Sequence, residues 1–120
     1  MGPPTRRRER NTELIFITAK FQVQPQDAER WPEITRAFTE ATRAEPGCLW
    51  FEWSRSLDDP TEYVLVEAFR DGGAGAAHVG SDHFRQAQRD LPPHLVATPK
   101  IVSQTVDQDG WGELGELAVR

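Results

Sequence analysis

The sequence predicts an α+β domain in the order β-α-β-β-α-β, and three observations carry that prediction. Four short segments rich in β-branched and aromatic residues alternate with stretches of helical spacing, except between the middle two. That middle pair is joined by Asp58-Asp59-Pro60, a turn too short for a crossover, so the two strands form an antiparallel hairpin. A length of 120 residues suits one domain and leaves little room for a second.

The first strand is Glu13 to Val23, ELIFITAKFQV, in which Ile15, Ile17, Ala19, Phe21 and Val23 share one face while Leu14 and Phe16 point to the other. Pro25 ends it. Residues 27–47 read as one helix, with Trp31, Ile34, Phe38 and Ala41 as its apolar stripe and Asp27 as N-cap. Pro32 is tolerated there only in a first turn, where its missing N–H is no loss, and Pro46-Gly47 stops the helix. Cys48 to Leu57 is the second strand, with Leu49, Phe51 and Trp53 on one side and Cys48 and Trp50 on the other; Thr61 to Arg70 is the third. Residues 71–91 are helical but glycine-weakened, and Ser81 or Asp82 can cap a fresh turn before Pro92-Pro93. Ala97 to Val106 is the last strand, an edge strand or one with a late start because of Pro99. The order is that of the ferredoxin-like split βαβ arrangement, a four-stranded antiparallel sheet with two helices on one face. The domain is expected over residues 12–106, between a disordered basic leader at 1–11 and a polar, glycine-rich tail at 107–120 anchored by Trp111, Leu114 and Leu117.

Apolar residues make up 38% and charged residues 28% of the chain, and the mean hydropathy is -0.61, as in soluble globular domains. No apolar run approaches the ~18 residues a membrane helix needs, and no apolar stretch follows the charged N-terminus, so neither a span nor a signal peptide is expected. A lone cysteine, Cys48, makes no internal disulfide and no cysteine-rich zinc site, and the default expectation is a cytoplasmic protein. Arg6, Arg7, Arg8 and Arg10 against Glu9 give the leader a charge of +3, leaving -8 on the body out of a total of -5. An acidic body argues against a nucleic-acid partner, since phosphate neutralisation supplies most of that affinity.

Two helices cover only one face of such a sheet, yet apolar residues recur on both faces of three strands. A second copy packed face to face, in a two-fold homodimer, is the expected cover. Gly73-x-Gly75 follows a strand and opens a helix, but His78 stands where a third glycine would be, and no parallel strand follows; no nucleotide cofactor is expected. His78 and His83 are five apart, which on a continuous helix holds them apart, so no metal site is expected; His94 reads as a solvated loop residue. Glu52 and Glu67 interrupt apolar strands and need partners, with Arg55 or Arg70 as candidates. Cys48 reads as a small buried residue rather than a nucleophile.

Several motifs combine: Glu45-Pro46-Gly47-Cys48 at a helix end, the aromatic strand that follows, Asp58-Asp59-Pro60, Glu67-Ala68-Phe69-Arg70-Asp71, and Ala77-His78 through Ser81, His83 and Phe84. In this combination the chain resembles the antibiotic biosynthesis monooxygenase domain family, which includes quinol monooxygenase-like proteins. One departure is Phe69, where the family often carries tryptophan. The resemblance implies a dimeric α+β barrel and cofactor-independent monooxygenation of a small electron-rich aromatic, a quinol or polyketide-like molecule, with dioxygen. The heme-degrading members of the fold use a strand-one asparagine, which is absent here.

Triplet dioxygen accepts electrons readily only from an electron-rich anion when no flavin or metal is present, so such a site needs a base, a dry aromatic pocket and an oxyanion donor. His78 is the expected base or proton shuttle and Glu67 its orienting group. Trp50, Phe51, Trp53, Tyr63, His83 and Phe84 are the expected substrate-binding residues. Two other readings remain open from sequence: a non-oxidative isomerase or carbonyl-enol enzyme using His78, and a non-catalytic ligand-binding or stress-related dimer.

Overall fold

A computed structural model describes residues 13–119. The expected leader at 1–11 lies outside the described residues. Strands β1 (Glu13–Gln22), β2 (Cys48–Arg55), β3 (Glu62–Phe69) and β4 (Lys100–Asp107) form one antiparallel sheet in the order β2-β3-β1-β4. This is the ferredoxin-like arrangement. Helices α1 (Trp31–Ile34) and α2 (Arg36–Arg43) lie between β1 and β2, and α3 (Gly72–Val79) and α4 (Asp82–Asp90) between β3 and β4.

The expected single helix over 27–47 is interrupted. A 3-10 turn spans Pro25–Arg30, and Thr35 breaks the α-helix, its hydroxyl donating to the Trp31 carbonyl at 2.8 Å. A hydroxyl returned onto the preceding turn competes with helix bonding and bends the chain there. Pro32 sits in the first turn of α1, as it must. Asp27 is no N-cap: it is buried inside the 3-10 turn and accepts from His94 Nδ1 at 2.9 Å. His94 is therefore a tether between the first and last connections, not a solvated loop residue. Strand β4 starts after Pro99, which carries no N–H for the ladder.

Register decides what faces the helices. Ile17, Glu67 and Phe51 stand in one cross-strand row, and Ala19, Leu65 and Trp53 in the next. A bulge between Cys48 and Trp50 changes the alternation, so Cys48 packs on the helix side with Ala19, Phe51 and Leu65, while Leu49 turns outward at 41% exposure. A second core cluster joins Val23, Trp31, Tyr63 and Leu91. On the opposite face the tail returns: the Trp111 ring lies 5.0 Å from that of Trp50, itself 6.3 Å from Phe16. Leu114 and Leu117 do not anchor it; both are exposed. Val64 and Val66 stay half-buried and Val102 is 68% exposed on that face. Among the described residues, no helix is long and apolar enough to cross a membrane.

Candidate active site

Glu45 reaches the helix-to-sheet interior because α2 ends just before it. Its N–H donates to the Thr42 carbonyl at 3.0 Å, its carbonyl accepts from Cys48 at 3.1 Å, and the Gly47 carbonyl accepts the Arg70 N–H at 2.8 Å. Gly47 has no substitute here. A Cβ at that position would meet the Ala74 Cβ at 2.3 Å, far inside contact distance, so glycine lets α3 approach the turn. The Asp71 carboxylate caps α3 by accepting the Ala74 N–H at 2.9 Å.

His78 lies in the last turn of α3, and Ser81 then breaks the helix. The Ser81 hydroxyl donates to the His78 carbonyl at 2.7 Å and accepts the Phe84 N–H at 3.2 Å, capping α4. The break folds α4 back, so the His78 and His83 rings stand 6.0 Å apart. The separation expected from a continuous helix is thus corrected: the capped turn brings the two histidines onto a common partner.

That partner is Glu45. Its Oε2 accepts from His78 Nδ1 at 2.8 Å and from His83 Nε2 at 2.5 Å. A carboxylate only accepts, so both facing nitrogens carry protons, and in each neutral ring the other nitrogen is bare: Nε2 of His78 and Nδ1 of His83. His78 Nε2 faces Glu67, with Oε1 at 3.9 Å. That Oε1 is buried with no hydrogen-bond partner, in a residue 6% exposed. Burial first, and the negative charge of Glu45 second, push the Glu67 carboxyl up to about 7. Burial and the same carboxylates push the Cys48 thiol up to about 11. The donor atoms of Glu45, His78 and His83 all lie within 4.8 Å of one another, a set with the chemistry of a divalent-metal site.

Phenylalanines enclose this network. Phe69 stacks on His78 at 4.8 Å and Phe84 meets it edge-on at 5.1 Å, with Phe38 and Phe51 at 5.8 and 6.2 Å. Phe38 and Phe84 also wall a cavity of about 440 Å³, whose remaining lining includes Phe21, Leu91 and Leu95. One pair of rings thus lies between His78 and a largely apolar chamber.

Of the residues expected at the site, His78, Glu67, Phe51, His83 and Phe84 come together. Trp53 and Tyr63 sit deeper toward Trp31; the Trp53 indole donates to Thr39 and the Tyr63 hydroxyl to the Ala28 carbonyl. Trp50 faces the opposite side of the sheet, under the tail. Glu52 is exposed and paired with Arg43 at 3.7 Å, whereas among the described residues no arginine pairs with Glu67. The carboxylate in hydrogen-bond contact with His78 is Glu45, which sequence reasoning missed as a site residue. Its signal was present in the Glu-Pro-Gly-Cys run, where Pro-Gly reads only as a helix stop.

Comparison with known proteins agrees with this architecture. The family model for antibiotic biosynthesis monooxygenase matches residues 14–90. An isomerase of (4S)-4-hydroxy-5-phosphonooxypentane-2,3-dione from Yersinia enterocolitica is 29% identical over 72 residues, covering 60% of this chain and 75% of that protein. An uncharacterized protein of Synechocystis is 24% identical over 71% of this chain, which spans only 57% of that protein's length. Among solved structures, a candidate antibiotic biosynthesis monooxygenase from Nitrosomonas europaea superposes with a TM-score of 0.72 at 27% identity, covering 78% of this chain and 89% of that one. A Pseudomonas aeruginosa protein gives 0.68 at 28% identity, covering 79% and 94%. With the family model spanning more than half its length and the expected fold in place, the chain belongs to the antibiotic biosynthesis monooxygenase family.

Proposed function

We propose that the protein is a cofactor-independent monooxygenase acting on a small, electron-rich aromatic such as a quinol or anthrone-like polyketide, and that it works as a homodimer packed across the open sheet face. The observation that carries this reading is His78 Nε2 standing 3.9 Å from an unpartnered Glu67 oxygen, inside a phenylalanine enclosure that borders an apolar cavity. The cavity falls within the range of small-molecule pockets, ~300–1,000 Å³.

In this reading the substrate enters the chamber and displaces the Phe84 edge. Nε2 of His78 takes a proton from the acidic C–H or O–H, while Glu45 holds Nδ1–H and stabilises the imidazolium that forms. The resulting anion passes one electron to dioxygen, and recombination of the radical pair gives a peroxide. For a methylene carbon, loss of water then leaves a carbonyl: the CH2 carbon gives up four electrons, dioxygen takes them, one oxygen stays in the product and the other leaves as water. The protonated groups supply the proton to the departing oxygen.

A second reading is favoured by the isomerase relative and by the same His78–Glu67 pair, which suits moving a proton between two carbons of an enol without any oxidant. An oxygen electrode with a panel of hydroquinones and anthrones separates the two. The oxygenase reading expects dioxygen uptake that falls by ~100-fold or more in His78→Asn with its circular dichroism unchanged. Solvent deuterium entering an isomerised substrate with no dioxygen uptake would replace it by the isomerase reading.

A further inference from the structure

We propose that Glu45, His78 Nδ1 and His83 Nε2 bind one divalent transition-metal ion, of the zinc, cobalt or nickel class, and that the ion locks His78 in a tautomer unable to act as a base. The first half is independent of the oxygenase reading; the second rests on it.

Two imidazoles from different helices converge on one carboxylate oxygen, at 2.8 and 2.5 Å. Ions of this class sit ~2.0–2.1 Å from such ligands, which places tetrahedral ligand atoms ~3.3 Å apart. A cation in place of the two shared protons therefore asks the nitrogen–oxygen pairs to open by ~0.5 and ~0.8 Å, each proton moving to the far nitrogen of its ring. The structure has the freedom for that. His83 belongs to α4, a helix that buries none of its residues, and its side chain is 23% exposed. It also lines a groove of about 270 Å³ between α2 and α4, beside Gln86 and Asp90, through which a hydrated ion can arrive. Two imidazoles and a carboxylate, without thiolate, favour transition ions over magnesium or calcium.

A second, independent observation is the orphaned Glu67 oxygen. Metal-bound histidines give their other ring N–H to a carboxylate or carbonyl, which fixes the ring and its tautomer. If Nδ1 of His78 ligates a metal, its neutral ring must carry its proton on Nε2, the nitrogen that faces Glu67 Oε1 at 3.9 Å. Closing that 3.9 Å gap by ~1 Å gives the buried oxygen the donor it lacks, and the two carboxylates, both ionised, balance the ion's charge. The same step removes the lone pair on Nε2. Metal-bound and base-competent states are thus alternative tautomers of one ring.

The test uses full-length protein freed of metal with chelator, titrated with zinc by calorimetry and with cobalt by its visible absorption. One equivalent is expected, with a tetrahedral cobalt band. His83→Asn, at a partly exposed position, should abolish the band while circular dichroism is unchanged. Glu67→Gln should weaken binding by ~10-fold or more with the band retained. His94→Ala should bind as the parent does. Absence of any saturable zinc or cobalt binding by the folded parent overturns the site, as does equal binding by His83→Asn. On the activity arm, zinc at one equivalent should stop dioxygen uptake. Full uptake by zinc-loaded protein overturns the tautomer lock while leaving the site. If metal-free protein never consumes dioxygen yet binds zinc, the oxygenase reading and the lock fail together and the site stands.

Discussion

Glu67 is held in a strand whose neighbours in the row are Ile17 and Phe51, so its carboxyl meets apolar surface on the sheet side and faces the His78 imidazole, with the charge of Glu45 beyond, on the other. Its carboxyl is raised from 4.5 to about 7, mainly by burial, which sets the sign of a pH effect. A raised carboxyl pKa means the folded chain holds the proton more tightly than the unfolded chain. The contribution is therefore full below about 4.5 and is lost as pH rises through about 7. In metal-free protein, Glu67→Gln should stabilise the fold by ~1–3 kcal/mol at pH values above that window and change little below it, read from urea midpoints. Equal midpoints for parent and variant across the range would mean that Glu67 finds a partner in solution. Cys48 gives a second residue-level outcome. With its thiol pushed up to about 11, it should resist iodoacetamide in the folded protein at neutral pH and react once urea unfolds the chain. Glu67 stood out in the sequence because a carboxylate interrupted an apolar strand, and His78 because it lies in the Ala77-His78 to Phe84 motif that carries the family resemblance. Glu45 did not, because its role depends on where Pro46-Gly47 sends the chain.

At the scale of elements, the site is the product of two chain breaks. The first is the Gly47 turn, against which α3 packs with no room for a methyl group. Gly47→Ala should cost about 1–3 kcal/mol by overpacking. Adding Ala74→Gly, which removes the opposing Cβ, should recover much of that loss, less ~1 kcal/mol for glycine in a helix. A double variant no more stable than Gly47→Ala alone would show that the turn, not the contact, needs glycine. The second break is Ser81, whose hydroxyl caps α4 and ties it to His78. Ser81→Ala should lower stability by ~1 kcal/mol. The sequence signalled this cap and the places of Pro32 and Pro99, because capping and ring closure are local. It did not signal the kink at Thr35, because a threonine hydroxyl can return to the preceding turn without ending a helix, or the bulge at Leu49, which depends on pairing with the distant strand β3. That bulge is also why Cys48 and Trp50 fall on opposite sides despite their spacing.

For the whole molecule, order and topology were readable because six elements of the right lengths leave few ways to close one sheet. The apolar face opposite the helices was readable too, and Trp111 as an anchor of the tail, though not the face on which it packs, since a glycine-rich tail carries no periodicity. Half-buried Val64 and Val66 and exposed Val102 continue that face beyond the reach of Trp111. The proposed dimer should appear as twice the 13.6 kDa chain mass by light scattering at micromolar concentration. Val66→Glu, placing a charge at the centre of the face, should shift it toward monomer. A parent that is monomeric under those conditions would contradict the face-to-face pairing. Whether the chain's own groups make a substrate anion that reacts with dioxygen is decided by isotope labelling. Metal-free protein, verified by elemental analysis, is given an anthrone under isotopically heavy dioxygen, and the product is read by mass spectrometry. One heavy oxygen atom is expected in the product and the other in water, at a rate dependent on His78. Turnover that leaves the product unlabelled, or no dioxygen uptake above the protein-free rate, would contradict that reaction.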